Sequence, residues 1–287
     1  MKSRIAQRLA MTLSILFSNV AFSTLLPPND LYLQDDIFRL AGKGISEEQF
    51  NAVLDELEAA YKPIVESHNA ILKINRLWSN SEVNASAQRV DNQWIINLYG
   101  GLARRPELTP DAFTLAACHE LGHHLAGFPF YGSIDISAEG QSDYFATHAC
   151  AKLLWNDEDE ENKKARDGVS LSVQRFCDSQ YVDEHDQNLC YRTMAGAIAL
   201  ANFLTMVEFG LPVSVDSPSN GVVLETVPSH PSAQCRLDTY LAGSLCTKKF
   251  LDDGIPHLPN EVVDTSCTIF GEDLVGLRPR CWFKESF

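Results

Sequence analysis

His119, Glu120 and His123 share one short stretch, ACHELGHHLAG, residues 117–127. Two histidines four apart on a helix project from the same face, at the reach that a single zinc ion needs. A glutamate one step round lies beside such an ion without ligating it, where it acts on a water as general base. The spacing H-E-x-x-H arises by chance in roughly one chain of this size in a hundred, so its surroundings decide. Ala116, Ala117, Leu121, Gly122, Leu125 and Ala126 mark the helix as mostly buried. Buried histidines and a buried glutamate without partners are costly, so a surface helix that merely carries polar residues fits poorly.

A catalytic zinc needs a third protein ligand and an open position. Residues 137–148 read SAEGQSDYFATH. Glu139 and Asp143 are four apart and share a helix face, and the short connection 127–136 returns that helix against the first. Glu139 is the natural third ligand for one Zn2+ per chain. Asp143, one turn on, is placed to accept the second ring N–H of a ligand histidine. Tyr144, Phe145 and Ala146 argue for burial of this helix, against an exposed acidic pair.

The elements that must position these residues are legible around them. Ile45-Ser46-Glu47-Glu48-Gln49-Phe50 opens a helix to about 67, with Ser46 as cap, Gln49 completing a capping box and Ile45 stapling to Phe50. Residues 70–78 and 83–98 read as strands, the latter turning at 91–93. Thr109 caps a helix over 110–126, Pro110 suits its first position and Asp111 its dipole. Further helices are expected at 138–155, 187–209 and 231–244. The acidic run 157–161 reads as a solvated loop without the ligand spacing of a calcium site, and 247–287 as an irregular tail pinned by disulfides. The expected fold class is α+β, mostly helical, with a small antiparallel sheet.

Lys2, Arg4 and Arg8 precede an apolar stretch from Leu9 to Phe22, and Ala21-Phe22-Ser23 sets small residues three and one before a cut after Ser23. The pattern is that of a secretory signal peptide, 1–23, too short to span a bilayer comfortably. No cysteine follows the cut, which argues against a lipoprotein anchor, and Met194–Val207 reads as a buried helix rather than a membrane span. Losing three cations and no acid moves the net charge from −15 to −18. Such acidity argues against nucleic acid and anionic lipid as partners. All eight cysteines follow the leader, and an even count on an exported chain suggests disulfides. No C-x-x-C is present, which argues against a cysteine zinc site or a redox motif. Cys118 and Cys150 both face the gap between the two metal-bearing helices, so that pair is expected, with Cys177–Cys190 a second.

The order His119-Glu120-x-x-His123, then Glu139-x-x-x-Asp143, resembles a gluzincin metallopeptidase, the class that includes thermolysin. Val83-Asn84-Ala85-Ser86-Ala87 resembles the N-A-x-A strand of the HtpX and CAAX-prenyl-protease family, and Ser229-His230-Pro231 with Arg236 resembles its T/S-H-P-x-x-x-x-R segment. The resemblance spans about 83–236. It implies a zincin-like metallopeptidase domain over 24–246, with the tail 247–287 packed on it. It also implies that Asn84, Ala85 and Ser86 form an edge along which a peptide substrate pairs as an added strand. His230 would stabilise the developing oxyanion, and Arg236 would orient neighbouring carboxylates. Unlike the membrane-embedded members, this chain carries no spanning helix, and His123 and Glu139 are only 16 positions apart. Both departures point to a soluble member that is periplasmic or secreted. His68, His124, His148, His185 and His257 have no motif support and read as structural or exposed.

The expected activity is zinc-dependent endopeptidase cleavage of a protein or peptide, with Glu120 as base. The alternative is a zinc-stabilised scaffold or chaperone-like envelope protein without turnover. Glu120 argues against it, because a structural zinc needs no base.

Overall fold

A computed structural model describes residues 21–31, 44–131, 135–208, 210–250 and 255–285. Residues 1–20 of the expected leader lie outside the described residues. The chain is α+β. Strand β1 (Ala21–Thr24) precedes helix α1 (Glu47–Ser67), then β2 (Ile71–Leu77), β3 (Ala85–Val90) and β4 (Gln93–Tyr99). The helical body follows: α2 (Gly100–Ala103), α3 (Pro110–Leu125), α4 (Glu139–Phe145), α5 (Ala151–Leu154), α6 (Asp159–Lys164), α7 (Leu171–Gln180), α8 (Glu184–Glu208), α9 (Ala233–Leu245) and α10 (Val262–Thr265). Among the described residues no helix is long and apolar enough to cross a membrane.

Local chemistry fixes the helix that carries the site. The Thr109 side chain accepts from Ala112 N–H, and Pro110 occupies the first turn. Every residue from Ala112 to Leu125 is buried, because α1, α4, α8, β3 and β4 all pack around α3. The Ser46 capping box on α1 forms as expected. Gly127, at φ +72°, ends the helical run in the left-handed region that glycine enters without strain.

The sheet corrects one expectation: it is mixed rather than antiparallel, in the order β1-β3-β4-β2. The tight turn at Asp91-Asn92 makes β3 and β4 antiparallel. The 78–84 connection carries the chain from β2 past the end of β4, so β4 returns between them and pairs parallel with β2. The acidic run is a second correction. Asp159, Glu160 and Glu161 open α6, where their charge suits the helix dipole, and Glu158 pairs with Arg192 at 2.5 Å. Helix α7, capped by Ser170, was not expected at all. The helix expected over 138–155 is α4 and α5 joined by a π-helical turn at Ala146–Cys150, for which the sequence holds no signal.

All eight cysteines are paired: Cys118–Cys150 and Cys177–Cys190 as expected, with Cys235–Cys281 and Cys246–Cys267. The last two tie the irregular C-terminal residues to α9. Trp282, fully buried, lies over Gly140 of α4, where any Cβ would come within 2.3 Å of the indole. The tail thereby packs against the start of the helix that carries Glu139.

Candidate metal centre

Helices α3 and α4 meet at Gly122, inside the H-E-x-x-H stretch. A Cβ there would come within 3.0 Å of the Ser142 backbone, so the missing side chain permits the approach that brings Glu139 over the histidines. His119, His123 and Glu139 then offer ligand atoms that all lie within 4.8 Å of one another, and all three are buried. Glu139 Oε2 is 3.2 Å from His119 Nε2, and its Oε1 is 3.8 Å from His123 Nε2.

The outer nitrogens are pinned. His119 Nδ1 lies 2.8 Å from Asp143 Oδ1, and His123 Nδ1 lies 2.8 Å from the Ser137 carbonyl. A carboxylate and a carbonyl only accept, so each Nδ1 carries the proton and each Nε2 presents a lone pair inward. Among the described residues neither Nε2 has a hydrogen-bond partner, and Glu139 Oε2 and both Glu120 carboxylate oxygens also lack one. Buried polar atoms left unpaired in this way cost free energy unless something binds them. Two imidazole nitrogens and a carboxylate oxygen converging on one point are a donor set for a divalent cation.

Asp143 is itself clamped. Arg236 Nε and Nη2 donate to its two oxygens at 2.7 Å each, and Tyr240 Oη donates to Oδ1 at 2.7 Å. Burial alone would raise the Asp143 carboxyl, but Arg236 and His119 hold it far below the usual carboxylate range. Burial likewise opposes ionisation of Glu139, yet the His123 and His119 rings bring it down to about 2. Glu120 behaves oppositely: burial pushes it up to about 8, with the Glu139 charge adding and His119 opposing. Burial lowers His123 to about 4. For His119 the Asp143 carboxylate overcomes burial and raises it to about 9, so a cation binding at Nε2 would displace a proton from that atom. Neighbouring charge thus holds Glu139 ionised and burial pushes Glu120 up, two carboxyls of one cluster set apart by their surroundings.

Of the remaining sequence-derived residues, His230 reaches the ligands, whereas Asn84, Ala85 and Ser86 lie on β3 behind β1. His230 Nε2 lies 3.5 Å from Glu139 Oε2 at the rim, with 29% of its side chain exposed. Asn84 is buried at the head of β3, and Ala85 and Ser86 follow along that strand. Their edge is covered by β1, so the position at which the sequence puts leader cleavage, after Ser23, falls inside a strand of the sheet. Tyr240, Ser137 and Ser142 are members that the sequence reading missed. Ser142 Oγ approaches His123 Nδ1 at 3.0 Å. Tyr240 stands four residues after Arg236 on one helix face, a spacing that could have revealed it. The other histidines are partnered elsewhere: His124 with the Ile95 carbonyl, His148 with that of Lys248 and His185 with Asp159, while His68 stacks on Trp94 and His257 on Phe130.

A cleft of about 550 Å³ opens elsewhere, beside Lys152, Tyr181 and Phe250. Lys152 Nζ donates there to Tyr181 Oη at 3.0 Å and to the Cys246 carbonyl at 2.6 Å, so it lacks the unpartnered atoms that mark the His119–His123–Glu139 cluster. No protein-family model, curated protein or solved structure matches the chain, and its own residues carry the functional reading.

Proposed function

We propose that the chain is a zinc-dependent endopeptidase of zincin-like architecture. The observation that carries this reading is the set of unpartnered atoms: His119 Nε2, His123 Nε2 and Glu139 Oε2 converge, and the Glu120 carboxylate beside them is buried and free. Zinc, rather than another cation, suits a tetrahedral two-imidazole, one-carboxylate set. When bound, such an ion acidifies a water and polarises a carbonyl. Glu120 accepts the proton of the attacking water on a carboxylate oxygen and delivers it to the leaving amine. Asp143, held by Arg236 and Tyr240, fixes the His119 ring so that Nε2 points inward. His230 donates from the rim to the oxygen of the bond under attack.

The free Glu120 weighs against the scaffold alternative, since a structural site gains nothing from a buried unpaired carboxylate. Four disulfides support an oxidising compartment, periplasmic or extracellular. The test is chelation and reconstitution. The purified protein should hold about one zinc, lose hydrolysis of unfolded casein on dialysis against a chelator, and regain it with one equivalent of zinc. Hydrolysis that persists in the metal-stripped protein would refute the proposal.

A further inference from the structure

The edge of β3 is filled by the chain itself. β1 runs antiparallel to β3, with Ser23 opposite Ala87 and Thr24 opposite Ser86. Beyond β1 the segment stays held: Leu25 N–H donates to the Ala85 carbonyl at 3.0 Å. Asn84 then grips both backbone groups of Leu26, accepting from its N–H at 3.0 Å and donating to its carbonyl at 3.0 Å.

Three successive residues of this segment touch three groups of the metal centre and its rim. Ser23 Oγ donates to Glu139 Oε1 at 2.5 Å. His230 Nε2 donates to the Thr24 carbonyl at 2.6 Å. Arg236 Nη1 donates to the Leu25 carbonyl at 2.9 Å. Leu25 and Leu26 are buried, and Leu26 borders a cavity of about 230 Å³ with Leu204, Val207 and Pro231. An extended backbone, paired to a sheet edge with its carbonyls met by side-chain donors, is how an added strand is recognised.

We infer that in the uncut chain, before the expected leader cleavage after Ser23, residues 21–26 are a built-in plug, a strand of the chain's own that occupies the peptide-binding edge of β3 and ties down Glu139. What it excludes rests on the peptidase reading; that it occupies the edge does not. A peptide that displaces it pairs antiparallel to β3 and carries a small hydroxyl residue where Ser23 lies. Three positions on it carries an aliphatic side chain, where the cavity beside Leu26 has room for one larger than leucine.

The test uses the full chain with zinc in a Glu120→Gln background, so that no cleavage enters. Ser23→Pro removes a strand N–H and the hydroxyl on Glu139 without altering a core side chain. Leu25→Asp with Leu26→Asp puts two charges where the segment is buried. The backbone amides of Ala87 and Arg89, which face β1, should exchange at least about tenfold faster in Ser23→Pro than in the parent, because the covering strand has left, while those of Ser86 and Gln88, which face β4, should not. A fluorescein-labelled AFSTLLP peptide, residues 21–27, should bind both variants at least about tenfold more tightly than the parent, as self-competition is removed. If the double-aspartate variant fails to fold, Ser23→Pro decides alone. Unchanged exchange of the Ala87 and Arg89 amides in folded Ser23→Pro overturns the plug, whatever the peptide does. Absence of hydrolysis in the zinc-loaded chain carrying Ser23→Pro and the native Glu120 would sink the peptidase reading and leave the plug standing on the exchange data.

Discussion

The two walls of the metal centre are built in opposite ways. The helix wall, α3 and α4, holds its ligands fully buried, and partners drawn mainly from these helices, the bend between them and α9 pin each outer nitrogen. The strand wall, β1, β3 and His230, is assembled from residues more than 200 positions apart, and His230 stays partly exposed. Under the proposed function, the first wall would hold an ion in one geometry and the second would admit and release a chain. Substitutions of the ligands and their clamps in the helix wall should therefore cost metal or stability, and substitution of His230 in the strand wall should cost turnover alone.

The largest effect should come from Glu139→Ala. Outer partners of a metal ligand are worth roughly 10- to 100-fold in affinity, and losing a ligand should exceed that, leaving the protein without measurable zinc after mild chelation. Full zinc occupancy in this variant would mean that the third ligand is another group. Next is Asp143→Asn. It strips the anion from Arg236, which is 2% exposed, and breaking a buried pair on one side costs about 3–5 kcal/mol. Chemical denaturation should show that loss together with weaker zinc retention; wild-type stability would mean that the clamp contributes little.

On the strand wall, His230→Ala should raise the barrier by about 2.7–4 kcal/mol, as loss of an oxyanion donor does, with zinc content and Tm close to wild type. A variant that instead loses zinc or melts early would erase the difference between the walls. The smallest effect is a control away from both. Burial holds His148 down to about 3, while the unfolded chain protonates it near the ordinary value of about 6.5. Between those values the unfolded state binds the extra proton, so stability falls as pH drops, by up to about 1.4 kcal/mol per pH unit. His148→Gln should flatten the unfolding free energy between pH 6 and 4 by one proton's slope. An unchanged slope would show that His148 is not held neutral.

The sequence revealed the helix wall because its geometry is periodic. His119, His123, Glu139 and Asp143 are each placed by i,i+4 spacing, and Thr109 and Pro110 mark where α3 starts. Cys118–Cys150 followed from the same reasoning. The strand wall was legible only as an edge. Nothing local says that β2 pairs parallel with β4, or that Ala21–Thr24, whose composition reads as the end of a leader, lies along β3. Those facts are settled by which apolar faces find each other across the chain. The clamp was half visible: Arg236 was expected near carboxylates, whereas Tyr240 belongs to no motif.

The measurement that bears most directly on the proposed activity is Glu120→Gln. Glutamine keeps the shape of the side chain but cannot take a proton at neutral pH. Zinc should stay near one equivalent, since His119, His123 and Glu139 remain, and Tm should match wild type. Hydrolysis of an unfolded protein substrate should fall at least about a hundredfold, the lower end of a general base's contribution. Cleavage of a verified substrate by the glutamine variant at the wild-type rate would contradict the mechanism.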